Sequence, residues 1–200
     1  MIKVIFATGN KGKLREIKEI LGEGYEVITM KEAGFTGEIK EDGTTFAENA
    51  EIKVRTVRDA GYTGEIIMAD DSGLVVDALG GEPGVYSARY MGEDTSYEIK
   101  NRNIIERVAG ASDRSGRFIC DMCAALPDGS IIHTEGAMPG EIALDPAGEG
   151  GFGYDPILFL PEYGKTSAEL SEEEKNAISH RGKALRAMKE KLEKVSGRIF

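Results

Sequence analysis

The chain has 200 residues, of which 40% are hydrophobic and 30% are charged, and its formal net charge is −10. This length suits a single domain, residues 1–200, with a sizeable core, and the composition is that of an ordinary water-soluble protein. The acidic balance argues against a broad nucleic-acid surface, and no apolar run approaches the length of a membrane span. Because no signal-peptide pattern is visible, we expect a cytoplasmic protein.

A short apolar strand, Lys3–Ala7, is predicted to open onto a glycine- and lysine-containing loop, Thr8–Lys13, with a helix after it. This arrangement presents backbone N–H groups and the positive end of a helix dipole to an anion. Lys11 and Lys13 add positive charge. The loop is not a Walker A loop, because the spacing before Gly-Lys is too short and Leu14 stands where a metal-binding Ser or Thr belongs. Any metal ligands must come from elsewhere in the chain.

A second strand, Tyr25–Met30, and a helix, Phe46–Ala60, are predicted next. Thr45 and Glu48 have the spacing of a capping box at the start of this helix. Lys53 lies inside the helix's apolar stripe, where an ammonium is costly unless it is paired. Its side chain either extends to solvent or reaches a phosphate. We favour the phosphate, because acidic and basic groups gather at this end of the predicted sheet.

The central stretch of the chain is Ile66–Leu74, which reads IIMADDSGL. Its first four residues predict a buried strand, and we expect the strand to stop at Asp70 and Asp71. Carboxylates at a strand end suit a ligand or a metal, because open α/β sheets bind ligands beyond their strand ends. A polar turn is the alternative, since Asp, Ser and Gly all favour turns. This stretch alone does not decide between the two.

Two later strands, Gly116–Leu126 and Ser130–Ala137, predict a hairpin. The first contains a C-x-x-C pair, Cys120 and Cys123. Residues three apart on a strand point to opposite faces, and the sequence has no second cysteine pair and no histidine cluster nearby. Zinc binding is therefore disfavoured, and two small strand residues are the better interpretation.

A glycine-rich loop, Gly148–Pro156, formally contains the G-x-G-x-x-G pattern of dinucleotide sites. That fingerprint requires a helix after it, whereas a strand, Ile157–Leu160, is predicted here, so we reject a dinucleotide site. Phe152 and Tyr154 on such a loop suit stacking on a base. Asp155 could accept a hydrogen bond from a base N–H group.

Capping boxes predict two further helix starts, at Thr95 and at Ser171, each with a glutamate three residues later. The last helix begins with a His180-Arg181 pair. Cations at a helix N-terminus oppose the helix dipole. We therefore expect an anionic or acceptor-rich partner for this pair.

Six blocks of the chain, in the right order, resemble the inosine/xanthosine triphosphate pyrophosphatases. They are Ala7–Ile17 (ATGNKGKLREI), Glu41–Ala50 (EDGTTFAENA), Ala69–Leu74 (ADDSGL), Pro83–Tyr90 (PGVYSARY), Gly150–Ile157 (GGFGYDPI) and Glu173–Leu185 (EEKNAISHRGKAL). The resemblance implies an α/β ITPase-like fold: a long mixed β-sheet flanked by helices, in two lobes with a central active-site cleft. It also implies a homodimer that hydrolyses ITP, dITP and XTP to the monophosphate and pyrophosphate with Mg²⁺.

The resemblance further implies roles for individual residues. Triphosphate binding falls to Thr8, Gly9, Asn10, Lys11, Gly12, Lys13 and Lys53. Glu41 and Asp71 match the metal ligands, and Asp71 also matches the general base, although the sequence does not decide between Asp70 and Asp71 for the proton. Ser72 is expected to touch the substrate. The nucleoside pocket matches Phe152, Gly153, Tyr154, Asp155, Lys175, His180 and Arg181.

The expected partners are a purine nucleoside triphosphate and a second copy of the chain, with no nucleic-acid polymer and no membrane. A 6-oxo purine presents an acceptor where adenine presents an amino donor, so donors such as Arg181 or protonated His180 would favour hypoxanthine and xanthine. Two alternatives stay open. One is a related nucleotide pyrophosphatase with another base preference, and the other is a nucleotide sensor without turnover. The acids Glu41, Asp70 and Asp71 argue against the sensor, because pure binding does not need all three.

Overall fold

The computed structural model describes the backbone of residues 1–199 and the side chains of residues 1–195. The strands are β1 (Ile2–Phe6), β2 (Tyr25–Thr29), β3 (Ile66–Val76), β4 (Ser115–Ala125), β5 (Ile131–Ile142), β6 (Leu158–Leu160) and β7 (Lys165–Thr166). The α-helices are α1 (Lys11–Leu21), α2 (Phe46–Asp59), α3 (Tyr97–Arg107), α4 (Glu172–Ile178) and α5 (His180–Ile199). Within the described chain, no helix is long and apolar enough to cross a membrane.

The strands form one sheet in the order β2-β1-β3-β4-β5-β6-β7. β1 runs parallel to β2 and β3, whereas β6 runs antiparallel to β5 and β7. The predicted mixed α/β sheet is therefore confirmed. The chain divides into two compact units, and β3, β4 and β5 each contribute residues to both. Unit 1 comprises residues 1–71, 120–136 and 181–200, and unit 2 comprises residues 72–119 and 137–180.

Unit 1 is a three-layer α/β/α structure. Alternate residues of β1 and β3, such as Phe6 and Met68, pack with α1 and α5 in one apolar cluster. Their neighbours Ile5 and Ile67 pack with α2 in a second cluster. Since successive side chains of a strand point to opposite faces, one strand sequence serves both layers. The near-continuous apolar run of Ile66–Ala69 is the pattern expected of a strand covered on both faces.

Unit 2 has an apolar core of its own, built from the second half of β3, from α3 and from the segment around β6. Leu74 and Val76 of β3, Ile104 of α3 and Leu158 of β6 are buried in it. Tyr154, one of the two aromatic residues of the glycine-rich loop, is also part of this core.

The expectation that the central strand ends at the two aspartates is wrong. β3 continues through Asp70 and Asp71 to Val76, so both carboxylates lie in the middle of an eleven-residue strand. The preference of Asp, Ser and Gly for turns is a local one, and tertiary contacts can override it. Here neighbouring side chains pair with the acids, and the strand pairing persists.

Two predicted helix starts also shift. The loop predicted up to Lys13 ends earlier, because Asn10 caps α1 by accepting hydrogen bonds from the backbone N–H groups of Gly12 and Lys13. α3 is capped by Ser96 and not by Thr95. The Thr95 hydroxyl donates to the Met91 carbonyl at 2.7 Å, which leaves the capping position to the next residue. The capping boxes of α2 and α4 are confirmed.

The predicted hairpin is confirmed as the neighbouring strands β4 and β5, although β5 runs on to Ile142 and there pairs with β6. Cys120 and Cys123 are both buried free thiols. They lie in the two different apolar clusters of unit 1 and so point to opposite faces of the sheet, as expected. Burial raises the pKa of the Cys123 thiol to about 12, which makes it an inert packing residue.

Candidate active site

The centre of the candidate site is the pair of adjacent acids in β3, whose side chains point to opposite faces of the sheet. Asp70 follows the alternation of Ile66 and Met68 and faces the layer of α1 and α5. Asp71 follows Ile67 and Ala69 and faces α2. Two carboxylates separated by one peptide bond therefore lie in different surroundings.

Asp70 is buried among cations. Its Oδ2 atom lies 3.0 Å from the ammonium of Lys13 in α1 and 3.4 Å from the guanidinium of Arg181 in α5. Burial disfavours the charged form, but the charges of Lys13, Arg181 and Lys53 outweigh it and hold the pKa of Asp70 well below its usual range. Asp70 is thus a permanent anion with little tendency to take up a proton.

For Asp71, burial outweighs the influence of the neighbouring cations. Its Oδ2 atom accepts a hydrogen bond of 3.0 Å from the Asn49 amide, and its Oδ1 atom lies 3.5 Å from the Lys53 ammonium. Burial is the largest influence and exceeds the effects of Lys53, Lys13 and Asn49, so the pKa of Asp71 is raised. A carboxylate with a raised pKa is better suited than Asp70 to accept a proton from water.

Lys53 connects both acids to the segment before α2. Its ammonium lies 2.6 Å from Glu41 Oε2 and donates to the backbone carbonyl of Asp70 at 2.9 Å. The lysine predicted to lie inward on α2 is indeed buried. Burial would lower its pKa, but Asp71, Asp70 and Glu41 outweigh that effect and raise it, so the side chain is a cation.

Glu41 and Asp71, the two expected metal ligands, both lie beside the Lys53 ammonium. Their nearest oxygens are at most about 6 Å apart, the sum of their distances to that nitrogen. Among the described residues, no group of three or more His, Cys, Asp and Glu side chains is placed to hold a metal ion. Two carboxylates nevertheless suit Mg²⁺, which takes one or two protein carboxylates and completes its shell with water and substrate phosphates.

The segment Thr8–Lys13 adds a helix N-terminus to unit 1. The Asn10 side chain already accepts from the N–H groups of Gly12 and Lys13, at 2.9 and 3.2 Å. The Thr8 hydroxyl accepts from the backbone of Asn10 at 3.1 Å. Gly9 and Lys11 also belong to this segment, and Lys11 is exposed. The charges that face an incoming anion here are therefore side-chain ammonium groups and the helix dipole.

Arg181, expected among the nucleoside-binding residues, lies near the start of α5 and belongs to unit 1. Its guanidinium is buried in unit 1, where it pairs with Glu16 and contacts Asp70. These two acids are the anionic partners predicted for a cation at the start of α5. The guanidinium thus links Asp70 of β3 to Glu16 of α1.

In unit 2, Asp155 organises the glycine-rich loop. Its carboxylate accepts hydrogen bonds from Lys175 Nζ and Ser167 Oγ, both at 2.7 Å, and from the backbone N–H of Phe152 at 2.8 Å. Gly151 has a φ of +70°, and a Cβ atom there would lie 2.1 Å from the Asp155 carboxylate. Asp155 is buried, and these contacts tie it to the glycine-rich loop and to α4.

The two loop aromatics differ in what they can contact. Tyr154 is buried, its hydroxyl donates to the Ser87 carbonyl at 2.7 Å, and its ring meets that of Tyr97 edge to face. Phe152 is half-buried, and the Lys175 ammonium lies 5.2 Å from the centre of its ring. The stacking expected of both aromatics therefore suits Phe152, whereas Tyr154 anchors the loop.

Three further expected residues also lie in unit 2. The His180 ring stacks on Phe118, with centroids 4.9 Å apart and planes 26° from parallel. Gly153 has a φ of +69°, and its carbonyl accepts from the Asn101 amide at 3.1 Å. Ser72 is half-buried and follows Asp71 in β3.

Two residues of the site were not expected from the sequence. Glu16 pairs with Arg181, and Asn49 links Asp71 to the backbone N–H of Gly43 at 2.9 Å. A signal for Glu16 existed, because it lies three residues after Lys13 and so on the same side of α1. Asn49 lies four residues before Lys53 on the same face of α2, but no role was expected for it.

Comparison with known proteins identifies the family of this chain. Residues 4–191 match the model of the Ham1 family. The chain is 48% identical over 198 residues to the dITP/XTP pyrophosphatase of Desulforamulus reducens, covering 97% of each chain. It is 46% identical over 199 residues to the enzyme of the same name from Escherichia coli O157:H7, covering 96% of this chain and 98% of the relative.

Solved structures give the same result. A HAM1 protein from Coxiella burnetii is 39% identical, with a TM-score of 0.86 over 97% of this chain and 100% of its own. The Staphylococcus aureus Ham1 protein is also 39% identical, with a TM-score of 0.87 over 96% of this chain and 98% of its own. The resemblance seen in the six sequence blocks is confirmed, and this chain belongs to the Ham1 family.

Proposed function

We propose that this chain is a nucleoside triphosphate pyrophosphatase that hydrolyses ITP, dITP and XTP to the monophosphate and pyrophosphate. The observation that carries the proposal is the pair Asp70 and Asp71, one held ionised by cations and the other with a raised pKa that suits a general base. Relatives nearly half identical to the chain carry the name dITP/XTP pyrophosphatase. A cytoplasmic location fits this substrate, because the nucleotide pool lies there.

The triphosphate is bound by the cations of unit 1. Lys13 and Lys53 flank β3 on its two faces, and Lys11 adds an exposed ammonium at the N-terminus of α1. At 4 Å and an effective dielectric constant near 20, an ammonium–phosphate contact is worth about 4 kcal/mol before desolvation is deducted. A few such contacts offset the acidic net charge of the chain and hold the reacting phosphate in place.

Asp71 accepts the proton of the attacking water, and Asn49 and Lys53 fix the orientation of its carboxylate. Mg²⁺, held by Glu41 and Asp71, would supply charge neutralisation on the phosphates and a more acidic water. Asp70 stays ionised and keeps Lys13 and Arg181 in place. A nucleotide sensor would need none of this proton chemistry.

The residues of unit 2 bind the nucleoside. Phe152 offers a half-buried ring for stacking on the base, while Asp155, Lys175 and Tyr154 hold its loop. The His180 ring is stacked on Phe118. A protonated ring nitrogen of His180 can donate a hydrogen bond to the 6-oxo group of hypoxanthine or xanthine. Adenine would place an amino donor against that N–H donor, which costs on the order of 1–3 kcal/mol.

Pyrophosphate release tests this function. With Mg²⁺ present, kcat/KM should be highest for ITP, dITP and XTP and at least about tenfold lower for ATP, since one mismatched hydrogen bond costs a factor of that order. Omission of the metal should abolish turnover. A preference for dGTP or dTTP would support the related pyrophosphatase with another base, and tight ITP binding without pyrophosphate would support the sensor.

We also propose that the enzyme is a homodimer, supported by exposed apolar side chains in one short segment of unit 2. Tyr86, Met91 and Ile99 are 59%, 47% and 53% exposed. Burial of such side chains is the main favourable contribution to most protein association. Met91→Glu with Ile99→Glu should shift the mass measured by light scattering from dimer to monomer. The matched control is Leu144→Glu, a change at a 75% exposed residue elsewhere in unit 2, which should leave the mass unchanged.

A further inference from the structure

The Lys53 ammonium lies in a site lined by three oxygen atoms. They are Glu41 Oε2 at 2.6 Å, the backbone carbonyl of Asp70 at 2.9 Å and Asp71 Oδ1 at 3.5 Å. The side chain is 9% exposed although it starts from a helix face that is mostly apolar. These contacts explain why a buried lysine is tolerated at this position.

Two carboxylates and a carbonyl are also the donor set that hard divalent cations prefer. Lys53 therefore occupies the place in which Glu41 and Asp71 would share a metal ion. An ammonium and a divalent cation cannot occupy one position, and their like charges repel strongly at short range. Of the three oxygens, the one on half-exposed Glu41 has the most freedom to change partner, because its side chain is 34% exposed.

We propose that Lys53 is a built-in counter-ion that leaves Glu41 when a divalent cation binds, and that its freed ammonium then contacts the triphosphate. The inference rests on the proposed function for the identity of the phosphate ligand. It goes beyond that function in making lysine and metal competitors for one site. Metal binding and triphosphate binding are then coupled through Lys53, since each ligand favours the same displaced arrangement.

Calorimetric titration of the protein with MgCl₂ alone, without nucleotide, tests the competition. Lys53→Met removes the resident ammonium, so the affinity for Mg²⁺ should rise at least about tenfold, because the one cation that both competes with the metal ion and repels it is lost. Lys13→Met is the matched control. It removes the same charge from a lysine that contacts Asp70, and it should change the affinity by a much smaller factor. Equal affinities of the two variants, or weaker binding by Lys53→Met, would overturn the proposal.

A second measurement uses the unaltered protein and does not depend on the folding of a variant. The Nζ resonance of Lys53, assigned by its absence from the spectrum of Lys53→Met or Lys53→Gln, should shift when Mg²⁺ saturates the protein without nucleotide. An unchanged resonance at saturation means that the ammonium stays with Glu41, which refutes the displacement. Neither readout involves turnover, so failure of the ITP assay with a positive metal titration would refute the function alone.

Discussion

Replacing Asp71 by asparagine should lower kcat for ITP by about 10²–10⁴-fold, the usual contribution of a positioned general base. The amide keeps the size of the carboxylate and the Asn49 neighbour, but it can neither accept a proton nor bind a metal ion as an anion. Pyrophosphate release measured under single-turnover conditions checks the expected loss. Asp121→Asn is the control, because Asp121 is a half-buried acid of unit 1 with no assigned role, and its pKa is itself raised by burial and by neighbouring acids that include Asp71.

The same variant should remain at least as stable as the original protein. Because burial raises the pKa of Asp71, the folded state binds a proton more tightly than the unfolded state, and ionisation above the unfolded pKa costs stability. Removal of the charge therefore raises or preserves the free energy of unfolding at neutral pH. Urea unfolding followed by circular dichroism measures it. Turnover close to the original rate would remove Asp71 from the mechanism.

Replacing Asp70 by asparagine should have the largest effect on stability, a loss of about 3–5 kcal/mol in the free energy of unfolding. The change leaves Lys13 and buried Arg181 without the anion that lies between them. Asp71→Asn, one residue away and of identical chemistry, is the matched control. Equal stability of the two variants would contradict the structural assignment of these acids to opposite faces.

Acidification of the unaltered protein should reveal how much the Asp70 carboxylate contributes to the free energy of unfolding. The cations around Asp70 hold its folded pKa below the value of about 3.9 that it has when unfolded. Its stabilising effect is therefore complete above the unfolded pKa and is lost as the pH falls through the folded value. The Asp70→Asn variant should lack this part of the acid sensitivity. Unfolding curves at several pH values below 5 compare the two proteins.

Much of this fold could be predicted because local patterns determine it. Thr45 and Ser171 cap helices where their capping boxes indicate, and Lys53 lies inward because it shares helical spacing with apolar residues. The start of α3 was misplaced by one residue because Thr95 and Ser96 both carry a capping hydroxyl. The hydrogen bond that decides between them, from Thr95 to Met91, involves a turn that has no clear sequence signature.

The candidate site could be predicted as a set of residues but not as an arrangement. The period of a strand already implies that Asp70 and Asp71 point apart. What each of them meets depends on which helix covers which face, and that is a tertiary property. The contacts of Arg181 show the limit most clearly, because its partner Glu16 lies 165 positions away in the sequence.

The opposite orientation of the two acids makes the length of β3 as important as its composition. Deleting or inserting one residue between Ile66 and Ala69 would turn Asp71 towards α5 and its neighbour towards α2, while every chemical group stayed in the chain. Such a protein would place Asp71 among the guanidinium and ammonium groups that now surround Asp70, and it would place Asp70 beside Asn49 and Lys53. Homologous chains should therefore tolerate exchange of one aliphatic residue for another in this strand far better than any change in its residue count.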